Sequence, residues 1–151
     1  MNYTYLTTEM GLVKITGNES AVTHVDFVAE RDQPENETPV LKKAREQLQE
    51  YFSGKRTEFD FPLAPKGTPF QQQVWRQLLT IPYGKTVCYQ DIAKGIGNPR
   101  GTQAVGAANG KNPIAIVVPC HRVIGKNGKL TGYAGGLDKK AWLLALEQGQ
   151  D

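Results

Sequence analysis

The first third of the chain alternates with the period of a strand. Residues 3–7 and 12–16 are rich in β-branched and aromatic side chains. In the next run Val22, His24, Asp26 and Val28 alternate with Thr23, Val25 and Phe27, after a turn at Gly17-Asn18. Period-two alternation of this kind predicts three strands. A polar, proline-containing loop over 31–38 follows, and there the period changes. Thr38-Pro39 reads as an N-cap and first helical residue. Beyond it Leu41, Ala44, Leu48, Tyr51 and Phe52 recur on one helical face until Ser53-Gly54. That stripe is read as core packed against the strands, not as a binding groove. The result is a small α/β unit without visible chemistry.

Residues 59–67, with Pro62, Pro65 and Gly67, read as a connection. Thr68-Pro69 then repeats the cap-plus-proline signal and opens a helix with Phe70, Val74, Trp75, Leu78 and Leu79 on its buried side, ended by Ile81-Pro82-Tyr83-Gly84. The pattern next predicts a short helix around 89–94, a turn at 95–98, and a second helix from Pro99 to about Gly110. Two short helices about a glycine-containing turn form a helix-turn-helix pattern. Ala104, Ala107 and Ala108, with Gly101 and Gly106, give the second helix a small-residue surface. An extended apolar run at 114–118, a hairpin at Asn127-Gly128 and a last helix over about 138–147 complete a winged-helix layout. The fold class expected is α+β. A small N-terminal α/β domain of antiparallel strands plus helix covers 1–65, and a C-terminal winged-helix/helix-turn-helix domain covers 66–151.

Charge separates the two halves. Residues 1–65 carry 7 Lys/Arg against 11 Asp/Glu, whereas residues 66–151 carry 11 against 4. A basic half joined to an acidic one suggests that the second half meets a polyanion. The two cysteines, Cys88 and Cys120, make no disulfide framework, and no Cys-x-x-Cys or Cys/His cluster points to zinc or another metal. The first residues lack a basic segment followed by an apolar one, and no run approaches membrane-spanning length. A soluble, cytoplasmic protein with no membrane partner is expected.

The candidate chemistry lies in Pro119-Cys120-His121-Arg122-Val123, where one of two cysteines meets one of two histidines. A histidine beside a thiol is a known means of raising its thiolate population. Taken alone, a Cys-His pair is more often a buried structural cysteine beside an incidental histidine. In an extended segment the two side chains point to opposite faces. Any help from the imidazole is therefore expected to pass through a water, with a third group fixing the ring. Cys88 stands at the start of a short helix without an evident partner and is read as structural.

The surroundings decide between these readings. Asn112-Pro113-Ile114, Pro119 to Ile124, Gly132-Tyr133-Ala134-Gly135-Gly136-Leu137, Lys140, Leu143-Leu144 and Glu147 follow one another at set intervals. Upstream lie Phe70, Gln73-Val74-Trp75, Ile81 to Thr86, Tyr89, Ile92-Ala93 and Gly97-Asn98-Pro99. From about residue 68 to 147 the chain resembles the 6-O-methylguanine-DNA methyltransferase family, single-use repair proteins that move an alkyl group from guanine onto their own cysteine. The resemblance implies that Cys120 is the acceptor and that His121 takes its proton through a water. It implies that Glu147 orients the imidazole, Tyr89 donates a hydrogen bond to the departing purine, and Asn112 is a buried hinge before the acceptor segment. Tyr133, Ala134 and Gly135 belong to a loop that closes over the base. Val123 and Lys140 are grouped with the substrate-contacting residues, although whether Lys140 is structural or catalytic stays open; Arg122 is read as an anchor of the turn.

The implied partner is double-stranded DNA containing alkylated guanine, entered through the minor groove by a monomer that uses no cofactor. The chain departs from the family at Gln103, where an arginine normally fills the gap left by the flipped nucleotide. Glutamine is shorter and uncharged, so the flipped state is less well supported. Arg100, three residues earlier and expected on the same helical face, is a possible compensating cation, with Gly101 and Thr102 between them at the DNA. The family's non-catalytic relatives carry tryptophan in place of the cysteine, and this chain does not. Two other classes stay open at this level. One is a damage-binding module without repair, suggested by Gln103. The other is a Cys-His hydrolase or thiol oxidoreductase, disfavoured by the absence of a Cys-x-x-Cys pair.

Overall fold

In a computed structural model of the chain, residues 1–149 are described, and they divide into two compact units, Met1–Lys66 and a second beginning at Gly67. The expectation for 66–151 includes residues 150 and 151, which lie outside the described residues. The architecture is α+β. Among the described residues no helix is long and apolar enough to cross a membrane.

The first unit is a three-stranded antiparallel sheet in the order β1 (Asn2–Thr8), β2 (Gly11–Gly17), β3 (Val22–Val28), followed by α1 (Pro39–Phe52). The β1–β2 register pairs Tyr5 with Lys14 and Leu6 with Val13, which sends Val13 and Ile15 inward with Val25 of β3. These three are fully or almost fully buried with Leu41, Ala44, Leu48 and Tyr51 of α1, the helical stripe expected from the sequence. Thr38 caps α1, its Oγ1 accepting from Leu41 N at 3.3 Å. The polar loop before it is tied down: Asn36 N donates to Tyr3 O, and Tyr3 N donates to Asn36 Oδ1, covering the edge of β1.

One segment differs from expectation. Residues 59–67 were expected as a connection, yet Val22 N donates to Pro62 O and Ala64 N to Val22 O, so this stretch is annexed to the end of β3. Phe59 packs tilted against Tyr51 and edge-on against Phe61, so the aromatic residues before Pro62 hold the stretch to the first unit.

The second unit contains α2 (Pro69–Leu78), β4 (Val87–Cys88), α3 (Tyr89–Gly95), α4 (Thr102–Gly110), β5 (Val123–Ile124) and α5 (Leu137–Glu147). Thr68 opens α2 with a complete capping box, in which Gln71 N donates to Thr68 Oγ1 and Thr68 N donates to Gln71 Oε1. Val74, Trp75 and Leu78 are buried, and Trp75 Nε1 donates to Ala108 O at 2.9 Å, fastening α2 to α4. Leu79 was expected on that buried side. It is 49% exposed, standing just past the end of the helix at Leu78 with its backbone still helical.

The α3–turn–α4 pattern is present, with α4 starting at Thr102 rather than Pro99. Asn98 to Gly101 instead forms a turn in which Gly101 N donates to Asn98 O. Arg100 therefore does not share a helical face with Gln103, which corrects the expectation. The proline signalled a turn here, not a first helical residue. Of the small residues, Ala104 and Ala107 are exposed while Ala108 is buried. The Asn127-Gly128 turn also forms, closed by Gly125 N donating to Lys129 O, but β5 pairs in parallel with β4 rather than with a returning hairpin strand.

Candidate active site

The acceptor segment is not extended. Residues 114–118 coil into successive tight turns, with Val117 N donating to Ala115 O, Val118 N to Ile114 O and Cys120 N to Val118 O. Ile116 holds φ at 72°, a left-handed conformation costly for a β-branched residue. Asn112 makes this path possible. Its Nδ2 donates to Ile114 O at 3.3 Å and Val118 O at 2.8 Å, while its Oδ1 accepts from Ile114 N at 3.0 Å. The expected hinge asparagine thus replaces the ladder partners that a strand would have supplied. Periodicity failed here because a continuous apolar run reads alike as strand or as buried coil.

Cys120, His121 and Arg122 form one turn of 3-10 helix. The alternation argument for the Cys-His pair therefore does not apply, although the two side chains still make no hydrogen bond with each other. All three are buried, and His121 is fully so. His121 Nε2 lies 2.7 Å from Glu147 Oε2 on the last turn of α5. Arg122 grips the same carboxylate through Nε and Nη2 and donates from Nη1 to Ile81 O. Arg122, expected as an anchor of the turn, is also the counter-ion of the carboxylate.

Burial pushes the Cys120 thiol above its usual range, opposed by a hydrogen bond from Asn112 and by the charge of Lys140. Burial likewise holds His121 below the ordinary imidazole range, against the pull of Glu147. The resting pair is therefore a thiol beside a neutral imidazole, not the thiolate-rich pair that adjacency alone suggested. A carboxylate held by arginine can only accept, so His121 Nε2 carries the hydrogen and Nδ1 offers a lone pair. No protein group reaches that Nδ1.

Tyr89 is the first residue of α3, and its hydroxyl sits 3.2 Å from both the carbonyl oxygen and Oγ1 of Thr131. Lys140 Nζ donates to the same Thr131 O at 2.6 Å and to Val123 O at 2.7 Å. Lys140 is fully buried, and burial lowers its pKa, with Cys120 pulling the other way. Lys140, grouped from sequence with the substrate-contacting residues, has its ammonium on two backbone carbonyls. It ties β5 to the loop before α5 and puts a positive charge near the thiol. Val123 is also fully buried, and its carbonyl accepts from Lys140.

The Tyr133–Gly136 segment is a tight turn, closed by Gly136 N donating to Tyr133 O. Ala134 is exposed and Gly135 half-buried. A Cβ on Gly132 would come within 3.8 Å of the Tyr89 hydroxyl, so the loop passes close beside that ring. The Tyr133 hydroxyl points inward, buried and without a protein partner. Burial raises its pKa well above the usual phenol value, and the charges of Cys120 and Glu147 add to the shift.

Arg100 and Gln103 are exposed, and Gly101 and Thr102 half-buried, at the start of α4. Cys88, read as lacking a partner, has one: its backbone N and its Sγ both donate to Asp91 Oδ2, at 2.9 and 3.2 Å. Three contributors were missed by sequence reasoning. Thr131 accepts from Tyr89 and Lys140, Ile81 accepts from Arg122 through its carbonyl, and Asn109 on α4 reaches the Cys120 carbonyl. The first two act through backbone atoms and leave no signature in residue type.

Residues 69–149 match the family model described as 6-O-methylguanine DNA methyltransferase, DNA binding domain, and residues 1–65 match its ribonuclease-like domain. The chain belongs to the 6-O-methylguanine DNA methyltransferase family. The methylated-DNA–protein-cysteine methyltransferase of Methanosarcina barkeri is 48% identical over 98% of both chains. The constitutive enzyme of that name from Bacillus subtilis is 47% identical, covering 97% of this chain and 94% of its own. The crystal structure of the Mycobacterium tuberculosis protein OGT in complex with DNA is 46% identical, with a TM-score of 0.91 over 99% of this chain and 94% of that one. Within this methyltransferase fold, the whole Cys120–His121–Glu147 arrangement falls in the segment matched by the DNA-binding domain.

Proposed function

We propose that the protein repairs DNA by direct reversal, moving an alkyl group from the 6-oxygen of guanine to Cys120 as a methylated-DNA–protein-cysteine methyltransferase. The observation that carries this is the buried chain Cys120, His121, Glu147, in which the imidazole is fixed at Nε2 and open at Nδ1. The Cys120 proton passes through a water to His121 Nδ1. The sulfur then attacks the alkyl carbon, the C–S bond forms and the C–O bond breaks. The electron pair leaves with guanine, which takes up a proton to balance the one the thiol lost. Tyr89 exchanges its contact with Thr131 for the purine and supplies the donor that stabilises the departing anion. The product is a thioether that water does not cleave, so each molecule acts once and needs no cofactor.

The substrate is alkylated guanine in duplex DNA, approached from the minor groove by a monomer in the cytoplasm. Arg100, Gly101, Thr102 and Gln103, at the N-terminus of α4, meet the backbone and the gap behind the extruded base. Tyr133, Ala134 and Gly135 close over the base, where the glycine permits close approach. The reaction can be tested by intact mass and peptide mapping after incubation with a duplex carrying 6-O-methylguanine. One methyl increment on the Cys120 peptide is expected; binding without any increment would make the protein a damage-binding module instead.

A further inference from the structure

Three buried side-chain polar atoms among the described residues have no protein partner: Asn109 Oδ1, His121 Nδ1 and the Tyr133 hydroxyl. Buried polar groups are nearly always satisfied, by protein or by ordered water. Each belongs to a residue linked to Cys120. His121 follows it in sequence, Tyr133 senses its charge, and Asn109 Nδ2 lies 3.5 Å from its carbonyl oxygen. Asn109 occupies the last turn of α4, is only 3% exposed, and is not among the residues to which the reaction has been assigned above.

We propose that Asn109 is a positioning residue of the acceptor centre, its Oδ1 taking the second hydrogen of the water that carries the Cys120 proton to His121. The inference rests on the reading of Cys120 as acceptor and His121 as base, and it follows from counting hydrogens. A relay water accepts from the thiol and donates one hydrogen to His121 Nδ1. Its other hydrogen needs an acceptor at a centre where Cys120 is buried and His121 fully so. Tyr133 can accept, but its own hydrogen must also be placed. Asn109 Oδ1 can only accept. With both hydrogens fixed, a lone pair of the water faces the thiol, and the water is ready to receive a proton without first reorienting.

The test uses the full chain and two substrates, the methylated duplex and free benzylguanine. Asn109→Leu keeps the approximate size and removes the acceptor, whereas Asn109→Asp keeps an acceptor oxygen. Leucine is expected to slow transfer to both substrates on the order of 10²-fold, the scale of a misplaced reacting group, and aspartate to recover part of the loss. Duplex affinity, measured in a Cys120→Ala background, should not change. The decisive reading is a cycle with His121→Gln: Asn109→Leu should cost nothing further once the base is gone. If leucine leaves the variant unfolded, Asn109→Ala carries the same cycle. Independent, additive losses would overturn the proposal. So would a wild-type rate in Asn109→Leu, or the predicted pattern appearing in Tyr133→Phe instead. If the wild-type chain forms no Cys120 adduct, the parent reading fails; if it does and Asn109→Leu matches it, only this inference fails.

Discussion

Arg122 holds both oxygens of Glu147, with Nε 2.7 Å from Oε1 and Nη2 2.9 Å from Oε2, and His121 shares the second oxygen. The arginine lies one residue beyond the imidazole in a 3-10 turn, so a single turn delivers both the base and the counter-ion of its carboxylate. Arg122 is a positive partner that offsets the cost of burying the carboxylate. Arg122→Met should therefore destabilise the protein by about 3–5 kcal/mol, the range for stranding one member of a buried pair. Chemical denaturation would measure this. A loss below 1 kcal/mol would mean that Glu147 has another means of neutralisation.

His121 is held below the usual imidazole range by burial, so its neutral form persists under conditions that protonate an exposed histidine. Two consequences follow with fixed sign. The transfer rate should stay level as pH falls past the ordinary histidine value, dropping only at lower pH when the base is protonated. Stability should begin to fall at about pH 6.5, where the unfolded chain gains a proton that the native state refuses, and should level off below the native pKa. Glu147→Gln removes the influence that raises the His121 pKa. It should move the kinetic inflection to still lower pH while reducing the plateau by roughly 10²-fold or more. An inflection that moves upward would show that Glu147 does not act on the imidazole. Thermal melting across pH in His121→Gln supplies the stability control.

Much of this could be read from residue types. The caps at Thr38 and Thr68 announced two helices because hydroxyl, proline and apolar spacing act locally. Glu147 and His121 came together as the resemblance implied. What stayed hidden depended on tertiary partners. The coil at 114–118 exists because Asn112 supplies three hydrogen bonds that no periodicity encodes. The late start of α4 reflects a turn at Asn98, which competes with the helix signal of Pro99. Lys140 was grouped with the substrate-contacting residues through the resemblance alone, with its role left open, since a lysine in a sequence reads as exposed. Only the positions of the Val123 and Thr131 carbonyls explain where its charge goes.

Lys140 joins two carbonyls, one from β5 and one from the loop on which Tyr89 rests. Lys140→Met keeps the apolar stem and removes the charged donor from the buried Val123 carbonyl, while Thr131 O keeps the Tyr89 hydroxyl. A loss of stability of about 1.5–3 kcal/mol is expected, the value of hydrogen bonds to a charged donor. The thiol also loses a positive neighbour, so the apparent Cys120 pKa, read from the pH dependence of iodoacetamide labelling, should rise above that of the wild type. Unchanged labelling together with reduced stability would restrict Lys140 to a purely structural role.

Gln103 is the exposed second residue of α4, at the position where the family carries arginine, and Arg100 stands in the preceding turn rather than along the helix. If residue 103 fills the gap behind an extruded base, Gln103→Arg should bind duplex more tightly and accelerate repair in duplex more than reaction with free benzylguanine. The free base needs no flipping, so the ratio of the two rates isolates that step. An added cation that also neutralises a phosphate should steepen the salt dependence by about one phosphate equivalent. Arg100→Ala should make it shallower by a similar amount. Because Arg100 is exposed and Gln103 uncharged, Arg100→Ala should weaken the wild type more than the Gln103→Arg variant, in which a second cation stands close by. Measuring both rates for all four combinations of these substitutions decides the matter. A duplex-to-free-base ratio that does not move in Gln103→Arg would mean that another residue enters the gap, and that α4 docks through the turn at Arg100 alone.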